Sequence, residues 1–167
     1  MSSSDTVRRL EVDRAIAADA AAIFDVLRSP EGHVQIDASG MLMSAEGEPA
    51  GAVGDRFVVH MDRDSLRDFD LGEYDVTVVF STYEQDREIA WTIDGKMQPP
   101  IGHVYGYRLE PIEGGTLVTS YYDWSDIHEA YAEHVDNIFP VISETNLRGT
   151  LGILARTVAP GRSRPGA

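Results

Sequence analysis

"GTLVTSYYDWSDIHEAYAEH", residues 115–134, changes character half-way along. Up to Ser125 it is rich in β-branched and aromatic residues. Val118, Ser120, Tyr122 and Trp124 share one parity and Tyr121 and Asp123 the other, the alternation of a strand. From Asp126 the aromatic run gives way to acidic residues and alanine. Asp126 followed by Glu129 fits a capping box, which predicts a helix start at that point. A sheet therefore ends in this stretch and hands the chain to a helix, and the rest of the fold is read outward from that junction.

Toward the N-terminus, "IEGG" (112–115) is a tight-turn signal behind the strand-like run "HVYGYRLEPI" (103–112), so these two strands are predicted to form a hairpin. Four more runs, "SGMLMSAE", "DRFVVHM", "GEYDVTVVFSTYE" and "REIAWTID", are bounded by Gly-, Pro- or Asp-rich turns. In the longest, Tyr74, Val76, Val78 and Phe80 lie on one face and Glu73, Asp75 and Thr77 on the other. The first strand is read over 7–16, with Leu10, Val12 and Ile16 in register. A helix carrying Ile23, Phe24 and Leu27 follows, capped by Asp19 and stopped by Pro30, and then a short helical turn in "EGHVQID". Toward the C-terminus, Pro140 predicts a break near 136–139. Beyond it Leu147, Leu151, Leu154 and Val158 form the apolar stripe of a long helix. Gly149 and Gly152 interrupt that helix, at about 1 kcal/mol each relative to alanine. They serve either close packing of helix on sheet or space for a ligand beneath it.

Composition bounds the function. A length of 167 residues suits one domain with a substantial core, and 43% hydrophobic with 25% charged residues is the balance of a globular protein. With no cysteine there is no disulfide, thiolate nucleophile or thiolate metal site. The N-terminus lacks a signal-peptide core and no run approaches the ~20 apolar residues of a membrane span, so the expected location is cytoplasmic. A net charge of −14 opposes nucleic acid and anionic membranes. Lys96 is the only lysine and hence the one Schiff-base candidate. Residues 1–6 are expected to be a flexible N-terminus, 7–158 a single domain, and the Pro-, Gly- and Arg-rich 159–167 a flexible tail.

Several segments, taken in order, resemble one family. They are "EVDRAIAADAAAIFDVLRSPEGHVQID" at the front, "VGDRF" (53–57), "REIAW" (87–91), "YRLEPIEGGTLVTSYYDWS" (107–125), and "FP" at 139–140 leading into the Leu-rich helix. Together they are similar to the START/Bet v 1-like (SRPBCC) superfamily, and specifically to its bacterial polyketide cyclase/dehydrase and lipid-transport branch. The resemblance covers about residues 7–158 and is carried by turn, core and strand residues, so it is more specific for fold than for activity. It implies an α+β helix-grip fold: a seven-stranded curved antiparallel sheet around a long C-terminal helix, two short helices after the first strand, and an elongated apolar cavity between sheet and helix. It also implies a hydrophobic ligand, lipid or polyketide-like. One alternative is a cyclase or dehydratase, and another a co-chaperone-like or regulatory interaction module. No cofactor and no metal are expected, and the state is monomer or homodimer.

The expected pocket residues follow from parity. Trp91 on one strand, Tyr105 and Tyr107 on the next, and Ser120, Tyr122 and Trp124 on the third give an aromatic floor with a few hydroxyls, roofed by Gly149 and Leu151 of the helix. The same residues suit a filled core in which the hydroxyls find backbone partners. His103 shares parity with Tyr105 and Tyr107, which makes it the candidate catalytic acid or base, with Arg108 or Asp123 assisting if they face inward. "HEAYA" (128–132) begins like a zinc-protease motif but has Ala132 in the second histidine position. His128 and His134 stand about 240° apart around a helix. The acidic stretch 62–73 has Leu66 and Arg67 where a calcium loop needs a ligand and a glycine. The first is read as a solvated acidic helix start and the second as a charged loop.

Overall fold

The computed structural model describes residues 7–95 and 97–166. Lys96 and the N-terminal segment 1–6 lie outside the described residues. Seven strands form one curved antiparallel sheet: β1 (Arg9–Ile16), β2 (Leu42–Glu46), β3 (Arg56–Asp62), β4 (Glu73–Glu84), β5 (Glu88–Asp94), β6 (Val104–Ile112) and β7 (Gly115–Asp123). Their order is β1-β7-β6-β5-β4-β3-β2. The sheet thus runs as a meander from β2 to β7, and β1 closes beside β7. Two short helices, α1 (Ala20–Leu27) and α2 (Pro30–Ile36), fill the crossing from β1 to β2. Pro30 does not merely end α1. It is the first residue of α2, where its missing N–H costs nothing, and the Ser29 hydroxyl caps the new helix at Gly32 N.

The hairpin expected at "IEGG" is present, with Ile112 opposite Gly115 and Tyr105 opposite Tyr122. The helix expected from Asp126 is not. Residues 126–128 turn without helical structure, and a 3-10 segment spans Glu129–His134, with the His128 imidazole, not Asp126, accepting from Ala130 N. Asp126 has the spacing of a cap, but the chain at that point is still tied to the loop before β6, through His128 N to Ile101 O at 2.8 Å. A single turn, α3 (Val135–Ile138), follows. Phe139 is then extended and precedes Pro140, as proline demands of its neighbour. The long helix α4 (Glu144–Val158) has a true capping box formed by Ser143 and Asn146. Leu147, Leu151 and Leu154 are its buried stripe.

Helix α4 lies across β1 and β7 and against α1 and α2. Around the inner face of β3, β4 and β5 lie instead Ile36 of α2, Met41 and Leu42, Phe69 and Leu71, and Met97 and Ile101. On the outer face Tyr121 is clamped between Arg9 and Arg108, with ring-to-guanidinium distances of 4.4 and 5.3 Å. Its hydroxyl donates to Glu88 at 2.6 Å. Gly106 lies opposite, and a Cβ there would sit 2.4 Å from the Tyr121 ring, so only glycine lets that ring lie flat on the sheet. Arg108 and Asp123 belong to this outer network, paired with Glu11 and Arg9. They therefore cannot assist a group inside the fold.

Candidate ligand cavity

A cavity of about 430 Å³ opens between the inner face of the central strands and the N-terminal half of α4. Val59 and Met61 of β3, Val76 and Val78 of β4, Ile93 of β5, and Ile36 of α2 give it aliphatic walls. Leu147 and Thr150 of α4 roof it, and Ile138, Val141 and Ile142 close one side. Phe69 and Leu71 lie at its rim and are 43% and 41% exposed, which places apolar side chains at the mouth.

Four of the residues expected at a pocket, Trp91, His103, Tyr105 and Tyr107, line the cavity. Five do not: Ser120, Tyr122, Trp124, Gly149 and Leu151 are off its wall. The reason is the path of α4. Its Leu151 and Leu154 press onto β1 and β7, so the inner face there is solid core, with Tyr122 and Leu151 0% and 1% exposed. Gly149 serves close approach, since a Cβ there would stand 3.1 Å from the Ala38 methyl. Tyr122 and Ser120 support the wall from behind. The Tyr122 ring stacks on Tyr105 at 4.3 Å and 4°, and its hydroxyl meets His103 Nδ1 at 2.7 Å. Ser120 interacts with the Tyr107 hydroxyl.

An aromatic row forms the floor. Trp91 stacks on Tyr105 (6.2 Å, 16°) and on Tyr107 (5.9 Å, 27°). His103 meets Tyr105 edge-on at 5.3 Å. At the other end His33, a residue that strand parity gave no reason to select, packs against Trp91 at 4.4 Å. Its signal lay in α2, where His33 and Ile36 are three residues apart and so share a face. Both imidazoles are buried, 6% and 4% exposed. His33 Nε2 lies 2.6 Å from Leu27 O, and because a carbonyl only accepts, that nitrogen carries the proton. Burial drives the His33 pKa down from 6.5 to about 4. For His103, burial first and the Arg63 charge second do the same, again to about 4. Both rings are therefore neutral at pH 7. Burial also raises Tyr105, Tyr107 and Tyr122 well above the usual phenol range.

Charge reaches the cavity at two points. Arg63 is held bidentately by Asp68 (Nε 2.8 Å, Nη2 2.6 Å). Asp37 accepts from Ser39 N, Ser39 Oγ and Leu42 N. What the charged loop 62–73 does was hidden in the sequence: Arg63 leaves the solvent to flank the cavity, and Asp68 follows to neutralise it. Among the described residues no group of three or more His, Asp or Glu is placed to hold a metal, and no helix is long and apolar enough to cross a membrane.

No family model matches this chain, and no curated protein matches it. Solved structures do. An AHSA1-like protein from Aeromonas hydrophila is 17% identical, with a TM-score of 0.58 over 90% of this chain and 91% of its own. The Aha1 dimer from Colwellia psychrerythraea is 18% identical, TM-score 0.59, covering 93% and 98%. A Chromobacterium violaceum protein is 14% identical, TM-score 0.63, covering 92% and 98%. At such identities the likeness is one of fold. The helix-grip architecture is shared along nearly the whole of each chain.

Proposed function

We propose that this protein binds a hydrophobic small molecule in the cavity between its sheet and α4. The observation that carries the reading is an aliphatic and aromatic hollow of about 430 Å³, within the range of small-molecule sites, bearing only a few polar groups. Apolar surface left facing such a hollow favours an apolar occupant, at roughly 25 cal/mol per Å² removed from water. Native mass spectrometry of freshly purified protein is expected to show a retained apolar species. Ile93→Trp, which pushes an indole into the hollow from β5, is expected to expel it while the protein stays folded. Protein that is repeatedly empty, and not stabilised by any member of a lipid and polyketide panel, would overturn the reading.

One observation favours a second reading, a cyclase or dehydratase. His103 is neutral, bordered by Tyr105 and oriented by Tyr122, the arrangement of a general base in an apolar site. That reading predicts that His103→Gln abolishes turnover of a polyketide-like substrate while the protein stays folded. Retained turnover removes His103 from the mechanism. A homodimer, the state named for the Colwellia protein, is proposed only as the alternative to a monomer, and sedimentation of the purified chain decides between them.

A further inference from the structure

Two nitrogens of the aromatic row have no partner among the described residues. His33 spends Nε2–H on Leu27 O, which leaves Nδ1 as a bare lone pair, the only polar atom this ring has for a ligand. His103 spends Nδ1 on the Tyr122 hydroxyl and leaves Nε2 buried and unpaired. A buried polar atom without a partner costs on the order of 1–3 kcal/mol, so His103 Nε2 calls for an occupant that pairs it, and His33 on the same cavity lining offers a second acceptor to that occupant. They lie at opposite ends of the floor, with Trp91 and Tyr105 between their rings.

We infer that the ligand is an elongated, flat, uncharged molecule carrying a hydroxyl at each end, one donating to His33 Nδ1 and the other pairing with His103 Nε2. This deepens the small-molecule reading above and rests on it. A donor is required at His33 because its tautomer is fixed by a carbonyl. At His103 the tautomer depends on whether the Tyr122 hydroxyl donates or accepts, and a hydroxyl serves either case. Flatness follows from the stacked Trp91–Tyr105 floor. Lack of charge follows from the walls: Arg63 and Asp37 are already committed to Asp68 and to Ser39 and Leu42, and both imidazoles are neutral at pH 7.

The test uses a matched probe series on the wild-type protein: biphenyl, 4-hydroxybiphenyl, 4,4′-dihydroxybiphenyl and biphenyl-4-carboxylate. Affinities are read by calorimetry, with biphenyl measured by displacement of the diol. Each hydroxyl is expected to tighten binding roughly 3–10-fold, the worth of one net hydrogen bond, and the carboxylate is expected to bind weakest. In parallel, ¹⁵N spectra of histidine-labelled protein are expected to show the His33 Nδ1 and His103 Nε2 signals moving on addition of the diol and staying still on addition of biphenyl. This readout needs no variant, so it does not depend on any substitution folding. If biphenyl binds as tightly as the diol, or the carboxylate binds tightest, or the diol binds without moving either nitrogen, the two-hydroxyl assignment is overturned and the apolar cavity stands. If no probe binds, the two-hydroxyl assignment falls, and the lipid and polyketide panel judges the cavity separately.

Discussion

Val118 on β7 and Val78 on β4 are the same residue on the same inner face of one sheet. Val118 is 0% exposed, with α4 closing over its strand, and Val78 borders a hollow. The strands do not differ; what lies above them does. Helix α4 crosses the sheet on the β1–β7 side, and its leucine stripe fills that half with protein. The half over β3 to β5 is covered by a short helix and loops, which reach the sheet through His33 and leave a hollow beside it. The helix thus divides a uniform apolar face into a foundation and a receptacle. Stability should be concentrated in the first and recognition in the second.

Acid should separate the two halves most strongly. His33 and His103 both belong to the hollow half, and both are held neutral down to about pH 4 in the folded protein, against 6.5 for an ordinary histidine. Between these values the unfolded chain binds more protons. The stability they support is therefore complete above pH 6.5 and lost as pH falls toward 4, by roughly 3 kcal/mol for each ring. The carboxylates of Glu11 and Asp68, held low by their arginine partners, and of Asp123, held low by Ser125 first and Arg9 second, contribute stability that is lost only at still lower pH. Urea midpoints at pH 7.5 and 4.5 measure the effect. A flat profile between them would show that the rings are not buried as described.

Next in size is Leu154→Ala. Leu154 is 0% exposed in the packed half, and its truncation should cost about 3 kcal/mol and lower the melting temperature by several degrees, leaving affinity for a cavity ligand unchanged. The smallest effect on stability should come from Met61→Ala on the cavity wall. Its side chain is only partly buried and already borders open space, so its removal should cost about 1 kcal/mol or less while changing ligand affinity. Equal losses from the two substitutions would erase the distinction between foundation and receptacle.

The sequence carries this fold clearly because alternation and turn chemistry are local. Val76, Val78 and Phe80 reveal the inner face of β4 without reference to any other strand, and Leu147, Leu151 and Leu154 reveal the buried stripe of α4 in the same way. The cavity is a different kind of fact. Parity puts Ser120, Tyr122 and Trp124 on the same face as Tyr105 and Trp91, and no local pattern says which of them the helix will cover. Only its crossing angle and position decide, and these depend on α1 and α2 packing beneath it. Local rules also misled at Asp126, whose spacing to Glu129 is that of a cap although the chain there is still bonded to the loop before β6. The real cap, Ser143 with Asn146, lacks the acidic or glutamine partner that makes such boxes legible. His33 was obscured because a seven-residue helix is too short for a periodicity to stand out.

The protein's two tryptophans fall on opposite sides of the helix's divide, Trp91 in the floor of the hollow and Trp124 at the end of the solid half. The molecule thereby carries two built-in fluorophores with separate duties. Emission from the first should respond to whatever occupies the interior, and emission from the second to the integrity of the scaffold. Replacing Trp91 with phenylalanine should silence the one signal and leave the other to report denaturation alone.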